Sequence, residues 1–358
     1  MKTTPLHAMH VAAKAKMGEF AGYDMPLFYP DGVMKEHEWC RTHAGLFDVS
    51  HMGQILLFGQ GVAKQLERLT PSAFKNSKPC VSKYTVLMNE HGGIIDDLIV
   101  TRLAQDVFFA VINAGCKEKD IAWIGHQLPE EIELHELKDR ALIALQGPQA
   151  ETVLRDVCNV DLSGLAYMRL EEMRLDGMDV YISRLGYTGE DGFEISIPAA
   201  KAETLWKHLA AHPEVKPVGL AARDSLRLEM GYCLYGHDIN DSTSPLEADL
   251  GWVMSRDNTD FIGASELEAP LVKRVGVMLT GQGIAREKAE IRNDANQMIG
   301  FLTSGGFSPT LGKAIGQGYV DFRYTEPGTK IMVNVRDRNI DGVITRMPFV
   351  SPKTKQKK

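Results

Sequence analysis

Two adjacent carboxylates stand where carboxylates are costly. Asp96 and Asp97 sit in the run Ile94-Ile95-Asp96-Asp97-Leu98-Ile99-Val100. Asp is depleted in strands, and a carboxylate stripped of water inside an apolar strand costs several kcal/mol unless something compensates. Successive strand residues face opposite sides. One Asp can therefore sit on a solvated or interdomain face while the other points into a pocket, where a perturbed carboxyl is a candidate for proton chemistry. The alternative is a surface Asp plus one held by turn or backbone donors. Glu194, between Phe193 and Ile195, is another carboxylate in an apolar strand, with Tyr187 seven residues before it. Arg223 and Arg227 lie at i and i+4 of GLAARDSLRLEMGY and share a helix face. They read either as structural ion-pair partners of Asp or Glu, or as a guanidinium fork for a carboxylate ligand.

The elements that must position these groups are legible. Tyr84–Leu103 reads as a β-hairpin, two apolar runs around Asn89-Glu-His-Gly-Gly93. Gln60–Thr70 is an amphipathic helix with the stripe Val62, Leu66, Leu69. Val107–Asn113 is a strand that ends on a polar residue, Gly115 breaks it, and Lys117–Gln127 returns to helical spacing. Strand, helix, hairpin, strand and helix in that order predict an α+β unit with an antiparallel sheet. Ala141–Gln146 is a buried strand, and Gly147-Pro148 then opens a helix at its first position. Strands Val180–Arg184 and Phe193–Pro198 flank a turn-rich GYTGEDG. Residues 32–43 favour a short helix whose His37 and His43 are expected at the surface. Residues 254–270 read as a linker. From Val272 to Val350 short strands and turns predict a separate all-β sandwich or barrel. The tail SPKTKQKK reads as a solvated basic end.

Several fragments carry no chemistry. Adjacent strand residues face apart, so His51 is poorly placed as a base for Ser50. Asp238, Asn240 and Asp241 lack the glycine and trailing Glu of an EF-hand loop. Gly59-Gln-Gly61 and Gly281-Gln-Gly283 lack a third glycine. The 358-residue chain has 44% hydrophobic residues, enough for two or three domains. A net charge of −7 gives no case for nucleic acid as partner. Five scattered cysteines without a CxxC suit a reducing compartment. No apolar run approaches the roughly 18 residues of a membrane span. A bacterial cytoplasmic protein with no membrane association is expected.

The motifs, in order, are TPLHAMH near the N-terminus, GLFDVSHMG (45–53), NEHGGIIDDLIVTR (89–102), INAGCKEKD (112–120), LQGPQA (145–150), GYTGEDGFEISIP (186–198), GLAARDSLRLEMGYCLYGHDI (219–239) and TSGGFSPTLGKAIGQGYV (303–320). Across essentially its whole length the sequence resembles the aminomethyltransferases, or T-proteins, of the glycine cleavage system. The resemblance implies an α+β, three-domain cloverleaf around a central folate channel: residues 1–50 with 140–253 as a folate-binding α+β domain, 51–139 as a ferredoxin-like α+β domain, and 271–358 as a C-terminal β-barrel, jelly-roll-like domain.

It also implies the chemistry. A methylene carbon passes from the aminomethyl-lipoyl arm of a carrier protein, the H-protein, to tetrahydrofolate, giving 5,10-methylenetetrahydrofolate, ammonia and the dihydrolipoyl carrier. Tetrahydrofolate is the acceptor co-substrate and no metal is expected. By the same resemblance Asp97 is the catalytic carboxylate, orienting the folate nitrogens, taking up a proton and stabilising the cationic carbon as ammonia leaves. Glu194 is the pterin-binding carboxylate, Tyr187 packs on the folate, and Asn113 fixes the pterin edge. Arg223 binds substrate, with Arg227 as a second candidate. Met52, Tyr84 and Trp252 line the cavity. Two other readings share this fold: a tetrahydrofolate-dependent demethylase and a non-catalytic folate-binding accessory protein. The accessory proteins carry a KGCYxGQE-like motif where this chain has MGYCLYGHD.

Overall fold

A computed structural model describes residues 1–355, which form three large β-structures and a two-stranded sheet, Lys16–Phe20 with Tyr23–Phe28. The first is a six-stranded sheet in the order Arg169–Leu175, Met178–Arg184, Gly192–Pro198, Arg140–Gln146, Ala44–Asp48, Val215–Pro217. Arg140–Gln146 lies inside this sheet, and its apolar run has a physical reason. Ala141, Ile143 and Leu145 belong to the core beneath helices Ala150–Cys158 and Ala199–Ala210. Leu142 and Ala144 point the other way, into a second core. A strand buried on both faces reads as continuous hydrophobicity rather than alternation.

The second is a five-stranded antiparallel sheet in the order Ser82–Met88, Ile94–Ala104, Val107–Ile112, Gly53–Phe58, Glu133–Glu136. Phe108, Ala110 and Ile112 pack with Val62, Leu66 and Leu69 of helix Val62–Leu69 and Ile124 of helix Lys117–Gln127. Phe109 and Val111 face the other way and join Leu142 and Ala144 of the first sheet. The two sheets thus share one core. The hairpin is pinned at its turn: Asn89 Oδ1 accepts from the Gly93 backbone N–H, and Asn89 Nδ2 donates to the Asp241 carbonyl oxygen at 2.8 Å. Gly93 is required here because a Cβ would overlap that same carbonyl.

The third is a closed barrel in the order Val272–Leu279, Lys313–Asp321, Met298–Ser308, Glu290–Arg292, Lys330–Val335, Arg338–Thr345. Val277, Ile291, Leu302, Val320, Val333 and Ile344 fill it. The all-β expectation resolves to a barrel, and closure pairs edges that a sandwich would leave open.

Three local expectations need correction. His37 is fully buried rather than at the surface, because the helix Val33–Thr42 is covered by helix Leu220–Glu229 and by Thr310. The helix after Gly147-Pro148 starts at Ala150, since Gly147 takes a φ of +135°. Residues 254–270 are not a slack linker: Asn258 Nδ2 donates to the carbonyls of Glu67, Thr70 and Ser72, fixing the segment to the second sheet's helix. The described part of the basic tail is mostly exposed, as expected, but is also tied down: Lys353 pairs with Glu190 at 3.1 Å and Lys355 with Glu151 at 2.9 Å. The rest of that tail, 356–358, lies outside the described residues. Among the described residues no helix is long and apolar enough to cross a membrane.

Candidate active site

The three β-structures meet around one cavity of about 1670 Å³. Asp97 and Ile99 of the second sheet line it, as do Glu194 of the first, Leu185 just past its strand, and Thr303, Ser304 and Gly305 of the barrel. All nine site residues expected from the sequence, Met52, Tyr84, Asp97, Asn113, Tyr187, Glu194, Arg223, Arg227 and Trp252, stand on its wall.

Strand alternation separates the two aspartates. Asp97 shares its face with cavity-lining Ile99. Asp96 shares its face with Leu98 and Val100, which pack in the helix-covered core. Asp96 is fully buried, so the solvated face considered for it does not exist, while Asp97 is half-buried and open to the cavity. Asn113, just past strand Val107–Ile112, answers both charges. Its backbone N–H donates to Asp96 Oδ2 at 3.1 Å, and its Nδ2 donates to Asp96 Oδ1 and to Asp97 Oδ1, each at 2.9 Å. Tyr84 Oη donates to Asp97 Oδ2 at 2.8 Å. Burial, and then the neighbouring Asp96 charge, push the Asp97 carboxyl up to about 7, against the pull of Tyr84 and Asn113. The Asn113 amide nitrogen, expected at a pterin edge, is thus occupied by the aspartates.

Glu194 faces the cavity at 8% exposure, and no side-chain hydrogen bond holds its carboxyl among the described residues. Burial raises its pKa and the Arg223 charge opposes that rise. Arg223 lies over the Tyr187 ring, 4.9 Å from its centroid, and its Nη1 is buried without a hydrogen-bond acceptor. Tyr187 is itself held by the Cys233 carbonyl oxygen and by stacking on Tyr232 at 5.7 Å. This constellation has the form of a polar ligand site: an unclaimed carboxylate, an unclaimed guanidinium edge and a rigid aromatic ring.

Arg227 also stands on the cavity wall, but its donors are taken by protein groups. Its Nε donates to Asp224 Oδ1 at 2.8 Å, its Nη1 to the Tyr232 carbonyl and Asp238 Oδ2, and its Nη2 to Ser304 Oγ. It joins helix to barrel, whereas Arg223 keeps an unbonded Nη1. Tyr84 stacks on Trp252 at 5.5 Å, and Trp252, 68% exposed, forms part of the rim. Met52 packs in the core shared by the two sheets and reaches the cavity wall.

Sequence reasoning missed two groups here. His51 lines the cavity and burial brings its pKa down to about 4. Its adjacency to Met52 was the available signal, obscured by asking only whether it served Ser50. Ser50 Oγ in fact donates to the Leu142 carbonyl. Arg274 also lines the cavity, donating to Gln317 and to the Gly231 and Ala248 carbonyls. It arrives from the barrel, and no local pattern announces it.

Comparison with known proteins agrees with this architecture. The family model described as the GCVT N-terminal domain matches residues 6–258, and that of the glycine cleavage T-protein C-terminal barrel domain matches residues 273–351. The aminomethyltransferase of Halothermothrix orenii is 41% identical, covering 98% of this chain and all of the relative. The mitochondrial aminomethyltransferase of Flaveria pringlei is 40% identical, covering 99% of this chain and 90% of the relative. The crystal structure of glycine cleavage system aminomethyltransferase T from Bartonella henselae superposes with a TM-score of 0.95 at 40% identity, over 99% of both chains. The chain belongs to the glycine cleavage T-protein family, the aminomethyltransferases.

Proposed function

We propose that this aminomethyltransferase moves the methylene carbon of an aminomethyl group, carried on the lipoyl arm of a partner H-protein, onto tetrahydrofolate. The products are 5,10-methylenetetrahydrofolate, ammonia and the dihydrolipoyl carrier. One observation carries the reading: a half-buried carboxyl poised near neutrality, Asp97, on the wall of a cavity that also holds the unclaimed Glu194 and Arg223. Bound tetrahydrofolate supplies the nitrogens that accept the carbon.

The residues present fit such a ligand. A carboxylate with both oxygens free suits the paired N–H donors of a 2-aminopterin ring, so Glu194 anchors that end. Tyr187, fixed by Cys233 and Tyr232, offers a flat face. Arg223 offers N–H donors to an acceptor on the ligand. Asp97 takes up the proton released at the folate nitrogen and, ionised, stabilises positive charge developing at the transferred carbon. Tyr84 and Asn113 fix its orientation. Arg227 maintains the wall.

We assign the folate-binding unit to residues 1–50 and 140–253, the second α+β unit to 51–139 and the barrel to 271–358. Bacterial cytoplasm is the proposed location, in keeping with five free cysteines. The test is ammonia release from an aminomethylated lipoyl carrier, with and without tetrahydrofolate, for wild type and Asp97→Asn. Folate-dependent release by wild type and its loss in the variant are expected. Full folate-dependent turnover by Asp97→Asn sinks the role of Asp97.

A further inference from the structure

Behind Asp97 lies a second carboxyl pair that the reaction does not touch. Asp96, on strand Ile94–Ala104, and Asp120, on helix Lys117–Gln127, are both fully buried. A carboxylate oxygen of each, together with Cys116 Sγ, lies within 4.8 Å of the others. Asp96 is well supplied with donors, since Asn113 gives it one backbone and one side-chain N–H. Asp120 has none: among the described residues no group donates to either of its oxygens.

Nor is a cation available. Lys119, next to Asp120 on the helix, directs its ammonium to the Ile95 carbonyl at 2.7 Å and the Tyr235 hydroxyl at 2.8 Å. Tyr235 in turn donates to the Ile94 carbonyl. Asp97 adds a third carboxyl from the far side of the strand, bridged through Asn113. Two buried carboxylates this close, with no cation between them, do not both stay ionised. The charge settles on the member that has N–H donors, and the proton on the member that has none.

We propose that Asp120 keeps a proton through the working pH range and donates it to Asp96, so that the pair places one fixed negative charge, not two, behind Asp97. Asp120 is then a positioning residue: it acts on Asp97 through Asp96 and Asn113 and touches no ligand. Burial, followed by the Asp96 charge, pushes the Asp120 carboxyl up to about 10, in line with the geometry. The burial that raises Asp120 also acts on Asp97, but Asp97 has two hydrogen-bond donors of its own and stays lower. A metal ion is the competing occupant of the Asp96, Cys116 and Asp120 cluster. The proposal rests on Asp97 being the reacting carboxylate.

The experiment uses the full chain labelled with carbon-13 at aspartate carboxyls, followed by NMR as pH is raised. One resonance is expected to stay in the protonated position to about pH 9, well above the ordinary carboxylate range. It is expected to persist in Asp97→Asn, to persist after EDTA, and to be lost in Asp120→Asn. No protonated resonance at about pH 8 in wild type, or one lost only in Asp97→Asn, overturns the proposal. So does a change in the resonance on EDTA treatment with release of bound metal. The wild-type and Asp97→Asn spectra can overturn the proposal even if Asp120→Asn does not fold. The second readout is the acid limb of the pH–rate profile. Asp120→Asn replaces a neutral donor by a neutral donor, so the limb is expected to move by less than about half a pH unit. A fall of about one unit or more means that Asp120 was ionised, which also overturns the proposal. Failure of the Asp97 reading shows separately, as folate-dependent turnover retained by Asp97→Asn.

Discussion

Arg223 and Arg227 sit one turn apart on helix Leu220–Glu229 with opposite hydrogen-bond states: Arg223 Nη1 is buried without an acceptor, while Arg227 is bonded to Asp224, Tyr232, Asp238 and Ser304. The contrast predicts two different failures. Arg227→Ala leaves Asp238 buried without its cation and destabilises the fold by about 3–5 kcal/mol. Arg223→Ala removes a guanidinium that satisfies no protein carbonyl or carboxylate, so stability changes little while folate affinity falls by about 1.5–3 kcal/mol. Thermal unfolding and tetrahydrofolate titration of both variants check this. An Arg227→Ala protein of wild-type stability and lowered folate affinity reverses the assignment.

Asp97 carries a pH dependence whose sign follows from its environment. Its folded pKa, about 7, is raised above the unfolded value near 3.8. The folded state therefore binds the extra proton between those values, and stability falls as pH rises through that window, by at most about 1.4 kcal/mol per unit. Asp97→Asn removes this penalty. Its stability is expected to exceed that of wild type at pH values above the folded pKa, with the difference closing as pH falls toward the unfolded pKa. In the proposed mechanism catalysis runs the other way: the ionised form is the proton acceptor, so kcat/KM is expected to rise through about pH 7. Denaturant titrations across pH and a pH–rate profile measure the two trends. A difference in stability that does not vary with pH contradicts the raised pKa.

How much of this was legible follows from the range of each interaction. The period of two in the hairpin strand separated Asp97 from Asp96, because side-chain direction along a strand is a local property. The stripe Val62, Leu66, Leu69 gave its helix, and all three are buried. His37 was not legible as a core residue, because what buries it comes from Ser225 and Thr310, distant in sequence. The same reason hid Arg274 and the use made of Arg227, whose partners lie on the barrel and the 232–238 turn. Asp120 stood in a quoted motif, INAGCKEKD. Its proximity to Asp96 needed the sheet and the helix to be packed. Local periodicity finds the elements, and the charges between elements become readable only once those elements meet.

Glu194 offers a direct test of ligand orientation. Its carboxyl has no hydrogen-bond donor among the described residues, and burial raises its pKa against the Arg223 charge. A ligand with paired N–H donors relieves that cost, so Glu194→Ala is expected to weaken tetrahydrofolate binding by roughly 2–3 kcal/mol. Because no group among the described residues hydrogen-bonds that carboxyl, and burial penalises its charge, the loss of its charge interaction with Arg223 is offset and the empty variant should unfold no earlier than wild type. An unchanged folate dissociation constant removes Glu194 from the site.

Glu229 is expected to decide whether the barrel stays joined to the rest of the chain. Its Oε2 accepts from Arg41 Nη2 at 2.6 Å and Thr310 Oγ1 at 2.8 Å and lies 3.2 Å from His37 Nε2, while its Oε1 accepts from Ser308 Oγ and the Thr310 N–H. One carboxylate thus gathers helix Val33–Thr42, its own helix and the barrel. Burial alone would raise its pKa. The bond and charge of His37, with Ser308 and Arg41, outweigh burial and bring it down to about 2. A depressed carboxyl contributes stability that is present above its unfolded pKa and is lost as pH falls through the folded one, here between about 4.5 and 2. Glu229→Ala leaves Arg41 with a single carboxylate partner, Glu190, and strands the Ser308 and Thr310 hydroxyls, a loss of about 3–5 kcal/mol. Acid unfolding of wild type and Glu229→Gln compares the two contributions. The Gln variant keeps some of the acceptors and loses the charge, so it should start less stable and lose less on acidification. Parallel acid-unfolding curves would mean that the charge of Glu229 contributes nothing to the joint.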